Sequence, residues 1–352
     1  MRKGRSTAAH HARQELLHGI LRQVSRSFYL TLNVLPRDVR DQMGLAYLFA
    51  RAADTIADSD LIEPARRMHY LNSFRRQFDS GAADRAEIQT IQSALSPVQQ
   101  QSAERVLLQR LGDCFEVYQQ FSTEDRCRIN DLMKTLPNGM AMDLDHFARG
   151  SASAPAAFDT MKELDQYIYY VAGCVGEFWT RMVYAHRRVM AGWDVDRMSA
   201  VGVRFGKGLQ LTNILKDLAR DLHRGRCYVP RALLKEAGLY PADLLSQKNL
   251  PQFRPILLQL ARIAVEHLDQ GWAYTMAIPR REIRQRLACM WPILLAGETL
   301  KRITASSRLL DPSVNIKAPR SAVYRVMLLT IVTGGCGYVG SAYWGRLRKQ
   351  IV

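Results

Sequence analysis

The sequence predicts an all-α protein built as a single helical domain. Three observations carry this. Apolar residues recur at helical spacing in long segments, among them "AERVLLQRLGDCFEVYQQF", "FRPILLQLARIAVEHLDQGWAYTM" and "LACMWPILLAGETLKRIT". Alternating β-branched stretches are scarce. The breaks between helices, such as "NVLPRDV", "SGAAD", "ALSPVQ", "SASAPAAF" and "HRGRCYVPRAL", are short, and none is long enough to mark a domain linker. No fixed-period repeat occurs. With 352 residues, 47% of them hydrophobic, the chain can bury a sizeable core. A division into two domains at "GSASAPAAF" is the second reading.

The N-terminal segment, residues 1–20, is basic and lacks the apolar stretch of a secretory signal. The net charge of +16 points to an anionic partner: nucleic acid, a membrane surface or a phosphorylated substrate. No RNA-binding signature, zinc-finger spacing or long Lys/Arg tract is present, so nucleic acid is set aside. The six cysteines form no C-x-x-C pair and have no His cluster beside them, which reads as reduced thiols in a cytoplasmic protein.

The first helix with chemistry in it is "YLFARAADTIADSD". Tyr47, Arg51, Asp54 and Asp58 are offset by four, seven and eleven residues. At about 100° per residue they fall within about 60° of one another. They form one polar stripe on an otherwise apolar helix, although carboxylates four apart repel. The stretch "GLQLTNILKDLARDL" repeats the pattern with Asp217 and Asp221, and Gln210 and Asn213 lie roughly on the same face. Lys216, Arg220 and Arg51 offset some of this charge without explaining two copies of one spacing. Magnesium explains it: a hard cation that takes one or two carboxylates and fills its shell with water and phosphate oxygens. Two such pairs facing each other across a cavity would hold several Mg²⁺ ions around a diphosphate. Either motif alone would read as a solvated helix with ordinary ion pairs.

These residues resemble a family. Tyr47, Arg51, Asp54 and Asp58 are similar to the first aspartate-rich motif of squalene and phytoene synthases, and "QLTNILKDLARDLHRGRCYVP" to the second. "SRSFYL", "GMAMDL" and "YYVAGCVGEFWTRM" resemble three further blocks, and the five occur in family order over residues 25–230. The resemblance implies the isoprenoid synthase fold, helices around a deep apolar cavity, over residues 21–320. It implies head-to-head condensation of two prenyl diphosphates, here farnesyl diphosphate. Asp54, Asp58, Asp217 and Asp221 would hold Mg²⁺. Ser25, Ser27, Arg51 and Arg226 would bind diphosphate, with Tyr47 beside it and Gln210 and Asn213 lining the second half-site. Tyr170 would assist proton transfer. Lys216 stands where several relatives carry arginine; it keeps the charge without the planar fork. Phe28, Phe49, Tyr47 and Phe178 are candidate walls against water, and Phe49 and Phe178 read better as core.

The family divides over its last step. Squalene synthases use hydride from NADPH; dehydrosqualene and phytoene synthases lose a proton instead. "SVNIKAPRSAVYRVMLL" resembles the lysine-arginine segment of squalene synthases, which would bring Lys317 and Arg320, with Asn213, to NADPH or diphosphate. A basic surface loop is the equal alternative. "YVAGCVGEFWTRM" is also closer to the squalene type. Ala288 departs from the aromatic residue of eukaryotic-type relatives. A non-catalytic assembly factor is the alternative of another class, and the intact aspartates argue against it.

The last segment, 321–352, contains "VMLLTIVTGGCGYVGSAYWG", uncharged from Val326 to Gly345 and followed by "RLRKQ". It reads first as a core helix ending near Gly334-Gly335 with a loose tail, then as peripheral contact with a membrane, and last as a span, which its glycines and several hydroxyls weaken.

Overall fold

The computed structural model describes residues 13–25, 28–59, 61–79 and 83–351. The all-α expectation holds: helices dominate, and the β-structure of the described residues is one two-residue parallel ladder. The chain divides into two compact units. The first comprises the described residues up to Leu144 together with Arg181–His186; the second comprises Asp145–Thr180 and the described residues from Arg187 onward.

In the first unit a wide turn, Glu15–Ile20, runs into α1 (Leu21–Ser25), followed by α2 (Phe28–Val34) and α3 (Arg37–Ala57). Then come α4 (Pro64–Arg76), α5 (Arg85–Leu95), α6 (Ser102–Gln109), α7 (Leu111–Tyr118) and α8 (Thr123–Thr135). The helix α9 (Pro137–His146) closes this part of the chain. Pro36 precedes α3, and its extended backbone suits a helix start. Three sides of α3 are apolar, and Leu45, Leu48, Phe49, Ala52 and Ile56 are wholly buried. Phe49 sits among Phe74, Phe78 and Phe115 with ring centroids 4.8–6.3 Å away, so it is a core residue as expected. Buried Asp125 accepts from His186 at 2.8 Å, Arg128 at 3.0 Å and Gln42 at 3.2 Å. These charge-assisted bonds offset its burial and tie residues 181–186 to α8.

The second unit opens with the strand β1 (Ala156–Ala157) and α10 (Met161–Ile168), whose Thr160–Glu163 capping box fixes its start. A π-type turn, Tyr169–Gly173, leads into α11 (Cys174–His186), which belongs to this unit as far as Thr180 and to the first from Arg181. The long α12 (Val195–Leu222) is followed by β2 (Arg226–Cys227) and α13 (Arg231–Glu236). The remaining helices are α14 (Leu250–Ala277), α15 (Ile283–Ala305), α16 (Arg320–Val332) and α17 (Gly337–Ile351). Phe178 on α11 is buried. All six cysteines are free thiols.

The C-terminal segment corrects the sequence reading. Its first helix, α16, is not a core helix: Ala322, Val326 and Thr330 are buried, whereas Tyr324, Leu328, Ile331 and Val332 are exposed. Nor does a loose tail follow. Gly334 and Gly335 take positive φ, 59° and 67°, and turn the chain into α17. Two interlocking tryptophans dock that helix. Trp344 packs over Gly297 of α15, and Trp272 of α14 packs over Gly340. The rings stack at 6.5 Å, and their indole N–H groups donate to Asp269 at 2.9 Å and Ser341 at 3.0 Å. The glycine that weakened a span is here a socket for an aromatic ring. Among the described residues no helix is long and apolar enough to cross a membrane.

Candidate active site

The first aspartate motif lies in the last turns of α3. Arg51 donates from Nη1 to Asp54 at 2.7 Å and from Nη2 to the Tyr47 hydroxyl at 3.2 Å, and its guanidinium stands 5.9 Å from the Tyr47 ring centre. Burial works against the Arg51 charge; Asp54 and Tyr47 more than offset it, and its pKa stands above the ordinary arginine value. The Arg51 Nε is buried without a hydrogen-bond partner. A guanidinium held by one carboxylate, with a donor left over, can take another anion. Asp58 ends the helix, with its N–H bonded to the Asp54 carbonyl at 2.9 Å, and is exposed. Phe28 stacks on Tyr47 at 5.5 Å. Ser25 is buried, and its hydroxyl donates to the Leu21 carbonyl of its own helix. Ser27 lies outside the described residues.

The second motif lies in the last turns of α12. Arg220 pairs with Asp217 at 2.8 Å. Lys216 pairs with Asp217 at 3.3 Å and donates to the Asn213 amide oxygen at 3.0 Å. Gln210 is half-buried on the same helix. Burial, and then the neighbouring Asp217 charge, push the Asp221 carboxyl up to about 6 in spite of Arg220, Arg226 and Arg224. The turn after α12 explains "HRGRCYVP". Gly225 has φ 81°, and a β-carbon on it would meet the Gly150 carbonyl carbon at 2.6 Å. Its carbonyl accepts from Ala156 N–H at 2.9 Å, and Arg226 then pairs in register with Ala156. Only glycine lets the chain turn there and carry Arg226 back beside Asp221.

Tyr170 sits in the π-type turn before α11, a conformation that places side chains off the regular helical face. Gly176 and Gly202 let α11 and α12 approach to backbone contact: a β-carbon on Gly176 would stand 1.9 Å from the Gly202 carbonyl oxygen. The "VAGCVG" run is therefore a crossing site for α12. The sequence reading missed a group at this crossing. Lys207 of α12 bonds Asp165 at 2.7 Å and stands 5.8 Å from the Tyr169 ring centre, with Tyr170 beside Tyr169 at 5.8 Å. One signal was present: Lys207, Gln210, Asp217 and Asp221 fall within about 80° on one helix face.

Lys317 and Arg320 are exposed, in the loop before α16 and at its first residue. Among the described residues neither forms a hydrogen bond or ion pair with Asn213 or the second motif. They offer two cations to a phosphate but nothing that fixes a nicotinamide ring.

The donor sets fit magnesium. Each motif supplies two carboxylates four residues apart with cations beside them, and no cluster of three or more His, Cys, Asp or Glu able to hold a metal occurs among the described residues. Water and substrate oxygens would complete such a shell, as Mg²⁺ requires.

A family model described as squalene/phytoene synthase matches residues 21–321. The squalene synthase of Eremothecium gossypii is 25% identical over 343 residues, covering 94% of this chain and 71% of its own length. The presqualene diphosphate synthase of Zymomonas mobilis is 30% identical over 243 residues, 69% of each chain. Among solved structures, ligand-bound TcSQS matches with a TM-score of 0.77 at 19% identity, over 96% of this chain and 91% of that one; at this identity the likeness speaks for the fold.

Proposed function

The chain belongs to the squalene/phytoene synthase family, and from that premise we propose that it joins two farnesyl diphosphates head to head, through presqualene diphosphate, to give squalene. The observation that carries the reading is the pair of D-x-x-x-D motifs, each with cations bonded into it and Arg51 keeping a buried donor in reserve.

Asp54 and Asp58, and separately Asp217 and Asp221, are the residues that would hold Mg²⁺, which when bound neutralises the leaving diphosphate. Arg51, Lys216 and Arg226 bind the diphosphate oxygens and stabilise the charge that develops as the carbon–oxygen bond breaks. The resulting allylic cation is attacked by the double bond of the second prenyl chain, and loss of one proton closes a cyclopropane that retains its diphosphate. Tyr170 is the residue to receive or relay that proton. Phe28 and Tyr47, stacked face to face, present aromatic surface that shields a cation from water. Lys317 and Arg320 are candidates for the phosphate of NADPH, which when bound supplies the hydride of the second half-reaction.

A second reading has its own support. The 30% identity to a presqualene diphosphate synthase favours an enzyme that stops at the cyclopropyl diphosphate. Purified protein with farnesyl diphosphate and Mg²⁺, with and without NADPH, separates the outcomes. Squalene formed only with NADPH supports the first reading. Accumulation of presqualene diphosphate in both arms moves the protein to the second. Dehydrosqualene or phytoene regardless of NADPH moves it to the carotenoid branch. No turnover would leave the assembly-factor alternative.

A further inference from the structure

We propose that the outer face of α16, with the turn that follows it, is a docking surface for an anionic phospholipid bilayer. Of the exposed large hydrophobic residues in the structure, Tyr324, Leu328, Ile331, Val332 and Tyr338 come from one stretch of the chain. Val332 is 74% exposed and Tyr338 85%, so these are not partly covered core residues. At about 100° per residue, Tyr324, Leu328, Ile331 and Val332 fall within an arc of about 100°. Ala322, Val326 and Thr330, the buried face, centre on the opposite side of the helix. The helix is apolar on both sides and covered on one. Ile283, also exposed, extends the ridge: its Cδ1 lies 3.9 Å from where a β-carbon on Gly334 would stand.

Charge selects the occupant. Residues 312–352 contain six Lys or Arg and no Asp or Glu. Arg280 and Arg281, next to Ile283, are exposed, as are Lys317 and Arg320 at the other end of the helix. A second copy of the chain seated here by two-fold symmetry would set these like charges against one another. A bilayer with anionic headgroups meets the apolar ridge with acyl chains and the rim with phosphates. The 13 residues of α16 amount to about 20 Å of helix, short of the ~30 Å hydrocarbon core. The helix therefore lies along the interface rather than across it.

The test is flotation of the full-length protein with phosphatidylcholine vesicles, with and without about 30% phosphatidylglycerol, beside light-scattering chromatography of the free protein. The wild type is expected to float with the anionic vesicles and at least about tenfold less with the neutral ones. The Leu328→Glu/Val332→Glu double variant is expected to keep the wild-type circular dichroism and lose vesicle binding at least about tenfold. Arg280→Gln/Arg281→Gln is expected to weaken binding by about fivefold per charge. Equal flotation of the wild type on both vesicles, or of the double variant and the wild type, overturns the proposal. So does a wild-type dimer that the double variant dissociates, since the ridge would then be the seat of a second copy. If the glutamates unfold the protein, Leu328→Ser/Val332→Ser replaces them in the same flotation: loss of vesicle binding supports the proposal, and binding equal to the wild type overturns it.

Discussion

Asp221→Asn should make the metal-free protein more stable while removing its response to magnesium. Asp221 is largely buried and lies four residues from Asp217, and together these raise its carboxyl from 3.8 to about 6. A shift of about two pK units corresponds to about 3 kcal/mol at ~1.36 kcal/mol per unit. The sign follows from proton linkage. The folded state holds the proton more tightly than the unfolded state, so this contribution is fully favourable below pH 3.8 and is lost as pH rises through about 6. At about pH 8 the folded chain carries the whole cost. The amide has no charge to desolvate or repel, so the variant should gain up to about 3 kcal/mol. At ~2.1 cal/mol/K per residue over 352 residues, this raises Tm by about 4 °C. In the wild type, magnesium at about a hundredfold over its Kd should return about 2.7 kcal/mol; in the variant it should return much less. Differential scanning calorimetry at about pH 8, with EDTA and then with Mg²⁺ and inorganic diphosphate, reads both effects. A variant less stable than wild type in EDTA would mean that Asp221 serves a structural ion pair, and equal stabilisation of both proteins by magnesium would remove Asp221 from the metal site.

Three further outcomes follow from the geometry. Arg51→Lys keeps the charge but loses the fork that spans Asp54 and Tyr47, so KM for the prenyl diphosphate should rise about tenfold or more in steady-state assays, with Tm little changed. Gly176→Ala places a β-carbon 1.9 Å from the Gly202 carbonyl oxygen; the α11–α12 crossing must open, costing about 3 kcal/mol, and calorimetry should record a Tm about 4 °C lower. His267 is held down to about 4 by burial, then by Arg204, whose Nε donates to its Nδ1 at 2.9 Å, and by Lys207. The unfolded chain takes up that proton first, so stability should fall as pH drops from 6.5 toward about 4. After allowance for solvent screening the loss is about 1–2 kcal/mol, and His267→Gln should lack it in paired melts across that range.

The fold class was legible because helical periodicity is local and repeated along the whole chain. The two aspartate pairs were legible because four-residue spacing on an apolar helix is a pattern within one element. What escaped the sequence depends on partners far apart in the chain. The Lys207–Asp165 pair beside Tyr169 needs the α11–α12 crossing, and the π-type turn that sets Tyr170 has no local composition signal. The C-terminal reading failed for a related reason. The helix does end before Gly334 and Gly335 as read, but Gly340, which also looks like a helix breaker, instead receives the Trp272 ring, a contact made from a distant helix. The uncharged run likewise suggested a buried helix, because composition does not say which of two apolar faces will find a cover.

If the carboxylate pairs drive metal-dependent departure of diphosphate from a prenyl chain, that departure can be followed by itself. Release of diphosphate from farnesyl diphosphate is measured in wild type, Asp54→Asn and Asp217→Asn, each with Mg²⁺ or EDTA. The wild type should release diphosphate only with Mg²⁺, and neither variant should release it while its circular dichroism stays that of the wild type. Release in EDTA, or undiminished release by a folded variant, would contradict the metal-clamp reading of both motifs.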